Sequence, residues 1–349
     1  MKEILVDKNE AGQRLDKLLI KLLNQAPSSF IYKMLRKKNI KLNQKKADGK
    51  EILKSGDTVQ IFLSDETYDK FHADKEYVYN KDGANSQREL KKEAVIYEDP
   101  DIIIINKPTG VLTQKADAGD DSLNERMLRY LLSKGEITKQ QLQTFTPSVC
   151  NRLDRNTSGL VLAGKSLKGS QELSRLLKER LIHKYYLALV NGHVKNAMKI
   201  NAYLVKDEKN NCVTIYNEQP DKHIKADYIE TEYRPLYSNE QYTLLEVKLI
   251  TGKTHQIRAH LAHIGYPIVG DGKYGDSNLN RIFREKYKIQ NQCLHAWRVE
   301  FPKNVSELAA DGCSYAAPLF RKENDLYNQL FHVDINRKYS KEYENGNLE

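Results

Sequence analysis

One carboxylate, Asp154, stands between Arg152 and Arg155 in the string NRLDRNTSG, and the apolar run LVLAGK follows at once. Two neighbouring guanidinium groups favour the ionised form of a carboxylate. The Thr157-Ser158-Gly159 turn leads the chain into a strand-like segment. A carboxylate held charged beside a fixed turn suits nucleophilic or general-base chemistry. The same residues also read as a loop Asp that caps a turn and pairs with a surface Arg, a common and energetically modest arrangement.

Other residues that could do chemistry argue mainly by exclusion. His255, His260 and His263 fall on a segment of helical pattern without an acidic residue or a nearby Cys, which does not make a metal site. Cys150, Cys212, Cys293 and Cys313 lie far apart and form no C-x-x-C pair, so neither zinc nor a disulfide framework is implied. No Gly-rich nucleotide loop occurs, which counts against a methyltransferase-like modifier with a nucleotide-like cofactor.

The elements that would position Asp154 can be read on either side of it. AVIYEDPDIIIINKPTG carries two strand-like runs around Asp99-Pro100-Asp101, a hairpin by its turn chemistry, closed by Lys107-Pro108 and Gly110. Residues 122–143 look helical. After the Asp154 loop, Leu173, Leu176, Leu177 and Leu181 give a helical stripe, and a strand carrying Lys184-x-Tyr186 follows. Taken alone, a strand Tyr is more often a half-buried packing residue than a catalytic one. Residues 225–250 hold two more strands, and Ile257, Leu261 and Ile264 mark a helix that Gly265 ends.

Upstream, Leu15, Leu18, Leu19, Leu22 and Leu23 have helical spacing. After Pro27, Ser28 or Ser29 is placed to cap a second helix with Phe30, Ile31, Met34 and Leu35 inward. A strand at Ile40 and Leu42 and a second, VQIFL, follow. Between Lys33 and Lys46 there are seven basic residues and no acidic one. Such a run is a solvated face or a phosphate-binding surface, and its confinement to one helix–turn–strand unit favours the latter.

These strings together resemble the RluA family of pseudouridine synthases. The matching motifs are Lys107-Pro108 with Gly110, Arg152-Leu153-Asp154 before Thr157-Ser158-Gly159, Lys184-x-Tyr186, the run GKTHQIR, and Leu294-His295-Ala296. Together they cover about residues 93–300. Asn151 and Gln114 stand where family members usually have His, and Lys253 where Arg is commoner. RLDKLL, Ser28-Ser29, MLRKKNIKLN and GDTV resemble the αL-type RNA-binding domain that some members carry, with Asn39 in place of the usual turn Gly. The resemblance implies an α+β fold: a mixed, largely antiparallel central sheet with flanking helices, plus a small N-terminal RNA-binding domain. It implies Asp154 as the catalytic carboxylate, Arg258 as its ion-pair partner and Tyr186 facing the flipped base. It implies Arg152 filling the space that the base vacates, and Lys33, Arg36, Lys37, Lys38 and Lys41 binding RNA. The reaction would be uridine-to-pseudouridine isomerisation in structured RNA, with large-subunit ribosomal RNA the expected substrate and no cofactor or metal. The rival reading on the same fold is a catalytically inactive RNA-binding or ribosome-assembly factor, with Asn151 and Gln114 as signs of decay.

The chain's 349 residues suffice for two domains. The expected division is 1–65 RNA-binding domain, 66–92 linker, 93–325 catalytic domain and 326–349 a charged tail that wraps or frays. Net charge is +9, and residues 1–65 hold 14 Lys and Arg against 8 Asp and Glu, which favours a polyanionic partner, RNA before membrane or DNA. No apolar run approaches a membrane span and the N-terminus lacks a secretion signal, so a cytoplasmic protein is expected, with monomer as the default state.

Overall fold

The computed structural model describes residues 1–7, 9–73, 89–117 and 119–344. The N-terminal part comprises β1 (Lys2–Leu5), α1 (Leu15–Leu22), α2 (Ser28–Arg36), β2 (Ile40–Leu42), β3 (Lys45–Lys46), β4 (Thr58–Ile61) and α3 (Asp65–Phe71). Its strands form an antiparallel sheet in the order β1-β4-β2-β3. The leucine stripe of α1 and Ile31, Met34 and Leu35 of α2 are buried against Ile40, Val59 and Ile61. Each such side chain contributes about 2 kcal/mol of transfer free energy.

Three local expectations shift. Pro27 occupies the cap position of α2 and Ser28 is its first helical residue, with no side-chain cap bond. The left-handed residue after α2 is Lys38, φ +61°, not Asn39. Asn39 instead donates its backbone N–H to the Met34 carbonyl, 2.9 Å, and so closes the helix. Thirdly, the linker expected from residue 66 meets α3, capped by Ser64 and started by Asp65 and Glu66. Phe71 packs on Phe30 with ring centroids 4.3 Å apart, and Asn24 pairs with both backbone groups of Ala73. Residues 74–88 of the expected linker lie outside the described residues.

The larger part runs β5 (Val95–Glu98), β6 (Ile102–Lys107), α4 (Leu123–Ser133), α5 (Gln141–Thr144), β7 (Ser148–Val149), β8 (Ser158–Gly164), α6 (Leu167–Lys178), β9 (His183–Asn191), β10 (Met198–Asp207), β11 (Cys212–Tyr216), β12 (Asp227–Ser238), β13 (Tyr242–Leu249), α7 (Gln256–His263), α8 (Ser277–Tyr287), β14 (Leu294–Glu300), β15 (Ser314–Ala316), α9 (Arg321–Phe331) and α10 (Ile335–Glu344). Its 11-stranded sheet has the order β11-β10-β12-β13-β9-β14-β8-β6-β5, with β15 on β14 and β7 on β8. Among the described strands only β8 and β14 pair in parallel, so the sheet is mixed and largely antiparallel, as expected. In the β5–β6 hairpin, Asp99 accepts from the N–H groups of Asp101 and Ile102, each at 2.7 Å. The 122–143 helix is two helices, broken where Gly135 takes φ +71°. The C-terminal tail does not fray over α9 and α10: Leu326, Tyr327 and Ile335 are buried against Leu187, Leu189 and Leu244. Its charged residues occupy one side of the helices and mask the apolar side in composition. Among the described residues no helix is long and apolar enough to cross a membrane.

The parallel junction of β8 with β14 sets the Asp154 loop. Gly159 adopts φ +108°, and a Cβ there would lie 2.2 Å from the Ala296 carbonyl oxygen. Next to it, the Ser158 hydroxyl meets His295 Nδ1 at 2.8 Å, while His295 Nε2 meets the Ala317 carbonyl at 3.1 Å. Burial lowers the His295 pKa to about 4. The ring is therefore neutral, with Nε2 donating to the carbonyl and Nδ1 accepting from Ser158. Gly159→Ala is expected to cost on the order of 3 kcal/mol in urea unfolding. Gly110→Ala, with φ +82° but nothing within 4 Å of the added methyl, is expected to cost about 1 kcal/mol.

Glu10, in the turn after β1, is buried and accepts from the Thr144 hydroxyl of α5 and from the Asp7 backbone N–H. Burial, then the Asp7 carboxylate, raises its pKa to about 7. A carboxyl whose pKa is raised on folding stabilises the fold below its unfolded value, and that contribution is lost as pH rises through the folded one. Stability is expected to fall by about 1 kcal/mol between pH 6 and pH 8. Glu10→Gln, read by urea midpoints at the two pH values, should flatten the difference.

Candidate active site

Asp154 sits in the loop between β7 and β8, and the preceding Lys-Pro-x-Gly loop fixes its backbone. The Thr113 hydroxyl donates to the Leu153 carbonyl at 2.8 Å and accepts from the Leu153 N–H at 3.1 Å. The Arg155 carbonyl accepts from the Gly110 N–H at 2.9 Å and from Lys107 Nζ at 3.0 Å. Lys107 is wholly buried and gives its two other bonds to the Pro108 and Val111 carbonyls. Burial draws its pKa down to about 7, with Asp154 pulling it upward. Three carbonyl acceptors match the three donors of an ammonium group, so this amine pins the two loops together.

The charge partner of Asp154 comes from α7, 104 residues further along. Arg258 Nη1 donates to Asp154 Oδ2 at 2.7 Å. The other edge of the guanidinium is held by Asp271, with Nε–Oδ2 at 2.7 Å and Nη2–Oδ1 at 2.8 Å. Asp271 is fully buried, and Arg258 overcomes its desolvation to hold its pKa below the usual carboxylate value. It also accepts from the N–H groups of Lys273 and Tyr274, and the Tyr274 ring lies 5.3 Å from the Arg258 guanidinium carbon. His255, in the left-handed position that starts α7, brings Nε2 to 3.7 Å from Asp154 Oδ2, and its Nδ1 meets the Tyr274 hydroxyl at 3.0 Å. Burial lowers the His255 pKa, with Asp154 opposing.

Asp154, Tyr186 and Arg258 line one cavity of about 380 Å³, within the size range of small-ligand sites. Tyr186 is 6% exposed; burial and then the Asp154 charge push its phenol pKa up. Its neighbour Tyr185 points to the opposite face of the sheet, with the Arg298 guanidinium 3.9 Å from its ring and Glu300 on its hydroxyl. Arg152 is exposed and lines this cavity together with an adjoining polar groove of about 750 Å³.

Among the described residues neither Arg152 nor Arg155 makes an ion pair with Asp154; that position belongs to Arg258 and His255. The three histidines of the α7 segment diverge, His260 to Thr231 and His263 to Asn217. Lys33, Arg36, Lys37, Lys38 and Lys41 are not brought to this cavity. They lie on α2, its C-terminal turn and β2, and among the described residues none of them makes an ion pair with an acid. Asn151, the departure from the usual His, accepts from the Leu162 N–H at 2.7 Å. It thereby anchors the loop to β8. Sequence reading passed over Asp271, whose Gly270-Asp271-Gly272 setting signals only a turn Asp.

A buried Arg gripped by one carboxylate and offering its remaining nitrogen to a second, partly exposed one keeps that second carboxylate oriented towards a base-sized cavity. The family model described as RNA pseudouridylate synthase matches residues 101–263. The ribosomal large subunit pseudouridine synthase C of Vibrio parahaemolyticus is 32% identical, over 85% of this chain and 87% of its own length. The chain belongs to the RluA family of RNA pseudouridine synthases. The synthase is also 31% identical to an uncharacterised RNA pseudouridine synthase of Mycoplasma genitalium, over 86% of this chain and 89% of that one. It is 28% identical to the ribosomal large subunit pseudouridine synthase D of Nitrosomonas europaea, over 85% and 79%. The solved structure of human RNA pseudouridylate synthase domain containing 4 shares the fold, with a TM-score of 0.53 at 22% identity over 68% of this chain and 92% of that one. The synthase therefore isomerises uridine to pseudouridine in RNA.

Asp271→Asn keeps the side-chain volume but weakens the grip on Arg258. Loss of a buried orienting partner is expected to lower kcat about 10²-fold with KM little changed, measured as pseudouridine formed per enzyme at saturating RNA.

Proposed function

We propose that the synthase modifies large-subunit ribosomal RNA in the cytoplasm, acting as a monomer, with Asp154 as its essential residue. The observation that carries the site assignment is the ion pair of Asp154 with Arg258 at the wall of the cavity that Tyr186 also lines. The substrate assignment rests on relatives over most of the chain whose names specify the ribosomal large subunit. It also rests on the basic face of α2 and β2, which has no acidic partner among the described residues. Lys33, Arg36, Lys37 and Lys38 are exposed, and Lys41 lies 5.1 Å from the Phe62 ring. They bind phosphates and add affinity rather than chemistry.

The mechanism follows from the roles assigned. The target uridine turns out of its stack into the cavity, and Arg152 at the mouth fills the vacated space. The Asp154 carboxylate breaks the bond between ribose C1′ and base N1, either by attack at C1′ or by removal of a ribose proton. The base rotates and C5 bonds to C1′ as the ester bond to Asp154 breaks or, in the other route, as the ribose proton returns; the C5 proton is then lost with help from Tyr186, and N1 takes up a proton. The carboxylate's charge is one cause of the raised Tyr186 pKa. Arg258 holds the carboxylate charged and aimed before the reaction. Nothing is oxidised or hydrolysed overall, and the scheme requires no cofactor.

The test uses large-subunit ribosomal RNA that lacks the modification. The parent should convert uridine to pseudouridine, and Asp154→Asn should bind the RNA with unchanged affinity yet form no product. Tight binding by the parent without conversion of ribosomal or transfer RNA would overturn the assignment.

A further inference from the structure

We infer that Lys184 is a further catalytic residue of the synthase, holding the negative charge of the uracil ring while the ring is detached from ribose. The inference rests on the reading that the chemistry occurs in the Asp154 cavity.

Lys184 lies near the start of β9, two residues before Tyr186, so the two share one face of the strand, and both line the cavity. Leu177 and Leu249 line it beside them. Gly252 lies beside the amine: a Cβ there would be in ordinary contact with Lys184 Nζ, at 3.6 Å. Among the described residues no acceptor lies within hydrogen-bond distance of this Nζ, and it makes no ion pair.

The other cations of the cavity are committed or exposed. Arg258 is shared between Asp154 and Asp271. Lys253 pairs with Asp227 at 2.7 Å. Arg152 stands in solvent at the mouth. Arg258 is matched by Asp154 and Asp271 and Lys253 by Asp227, which leaves Lys184 as a half-buried ammonium group without an acidic partner among the described residues. An unpaired cation held in an apolar setting costs desolvation energy, and a site that keeps one has a partner missing.

The reaction supplies that partner. When the C1′–N1 bond breaks, its electron pair leaves with the base, and the charge spreads over N1 and the two carbonyl oxygens. An ammonium group that donates to one of those oxygens stabilises the detached ring without giving up its proton. When C5 bonds to C1′, the same electron pair forms the new bond and the charge on the oxygens disappears. The C5 proton then leaves and N1 is protonated, so the product is an isomer of the substrate and Lys184 ends as it began. This is charge stabilisation at the atoms where charge develops.

The charged group that acts on Nζ is Arg180, in the turn after α6, and the titratable groups that line the same cavity are Cys150, Arg152, Asp154, Tyr186, Lys253, His255 and Arg258. Burial lowers the Lys184 pKa, with repulsion from Arg180 adding to it. The active form is the protonated one. Activity should therefore decline as pH rises through a value below that of an ordinary lysine, whereas Arg at this position stays charged throughout.

The experiment compares the full-length parent with Lys184→Met and Lys184→Arg on in vitro transcribed large-subunit ribosomal RNA. Single-turnover rates, RNA affinity and thermal midpoints are measured from pH 6 to pH 10. Lys184→Met is expected to lose about 10²-fold in rate with RNA affinity and thermal midpoint preserved. Lys184→Arg should retain most of the rate and lack the parent's alkaline decline. An unchanged rate in Lys184→Met, or equal losses of rate and thermal midpoint in both variants with the same alkaline profile as the parent, overturns the inference alone. Absence of turnover by the parent overturns the proposed substrate and, with it, the inference.

Discussion

The site depends on one guanidinium group divided between two carboxylates. Arg258 gives two parallel hydrogen bonds to Asp271 and one to Asp154. The two acids differ in environment, since Asp271 is fully buried and the Asp154 side chain keeps 29% exposure. A planar fork gripped along one edge cannot turn, so the nitrogen facing the cavity is fixed in direction. A point-charge amine would have satisfied the electrostatics but not the geometry. The Tyr274 ring over the guanidinium and the Asp271 bonds to two backbone N–H groups extend the same rigidity into the loop after α7.

That rigidity explains why two loops far apart in the chain need their own ties. The Asp154 loop is held by Thr113, by Lys107 through three carbonyls, and by Asn151 on β8. The β8–β14 junction is close enough that only Gly fits at 159. Asp154 is thus positioned from its backbone by one set of contacts and from its carboxylate by another, and neither set uses the flanking arginines.

Much of this is legible in the sequence. The leucine stripe of α1, the Asp99-Pro100-Asp101 hairpin and the glycine end of α7 are local patterns, and local patterns survive folding. What was not legible was of a different kind. The hairpin of β10 and β11 and helix α8 lie in stretches whose polar composition hides their one apolar face. Asp271 looks like an ordinary turn residue until the fold brings Arg258 to it. The buried face of α9 and α10 is carried by a few side chains among many charges. The turn after α2 places its left-handed backbone at Lys38 rather than at Asn39, because turn propensity names a residue type, not the position that the helix end selects. The flanking arginines attracted attention by adjacency, whereas the partner that matters arrives through the sheet.

The spacing of contacts has a consequence for the order in which the molecule can be built. The N-terminal sheet closes within the first 61 residues, Lys2 opposite Ile61, while the Asp154–Arg258 bond spans 104 residues and needs strands β8 to β13 between them in register. Entropy penalises the longer closure, and emerging chains fold from the N-terminus. A growing chain therefore presents its basic face while Asp154 still lacks Arg258, and acquires affinity for a polyanion before it acquires reactivity.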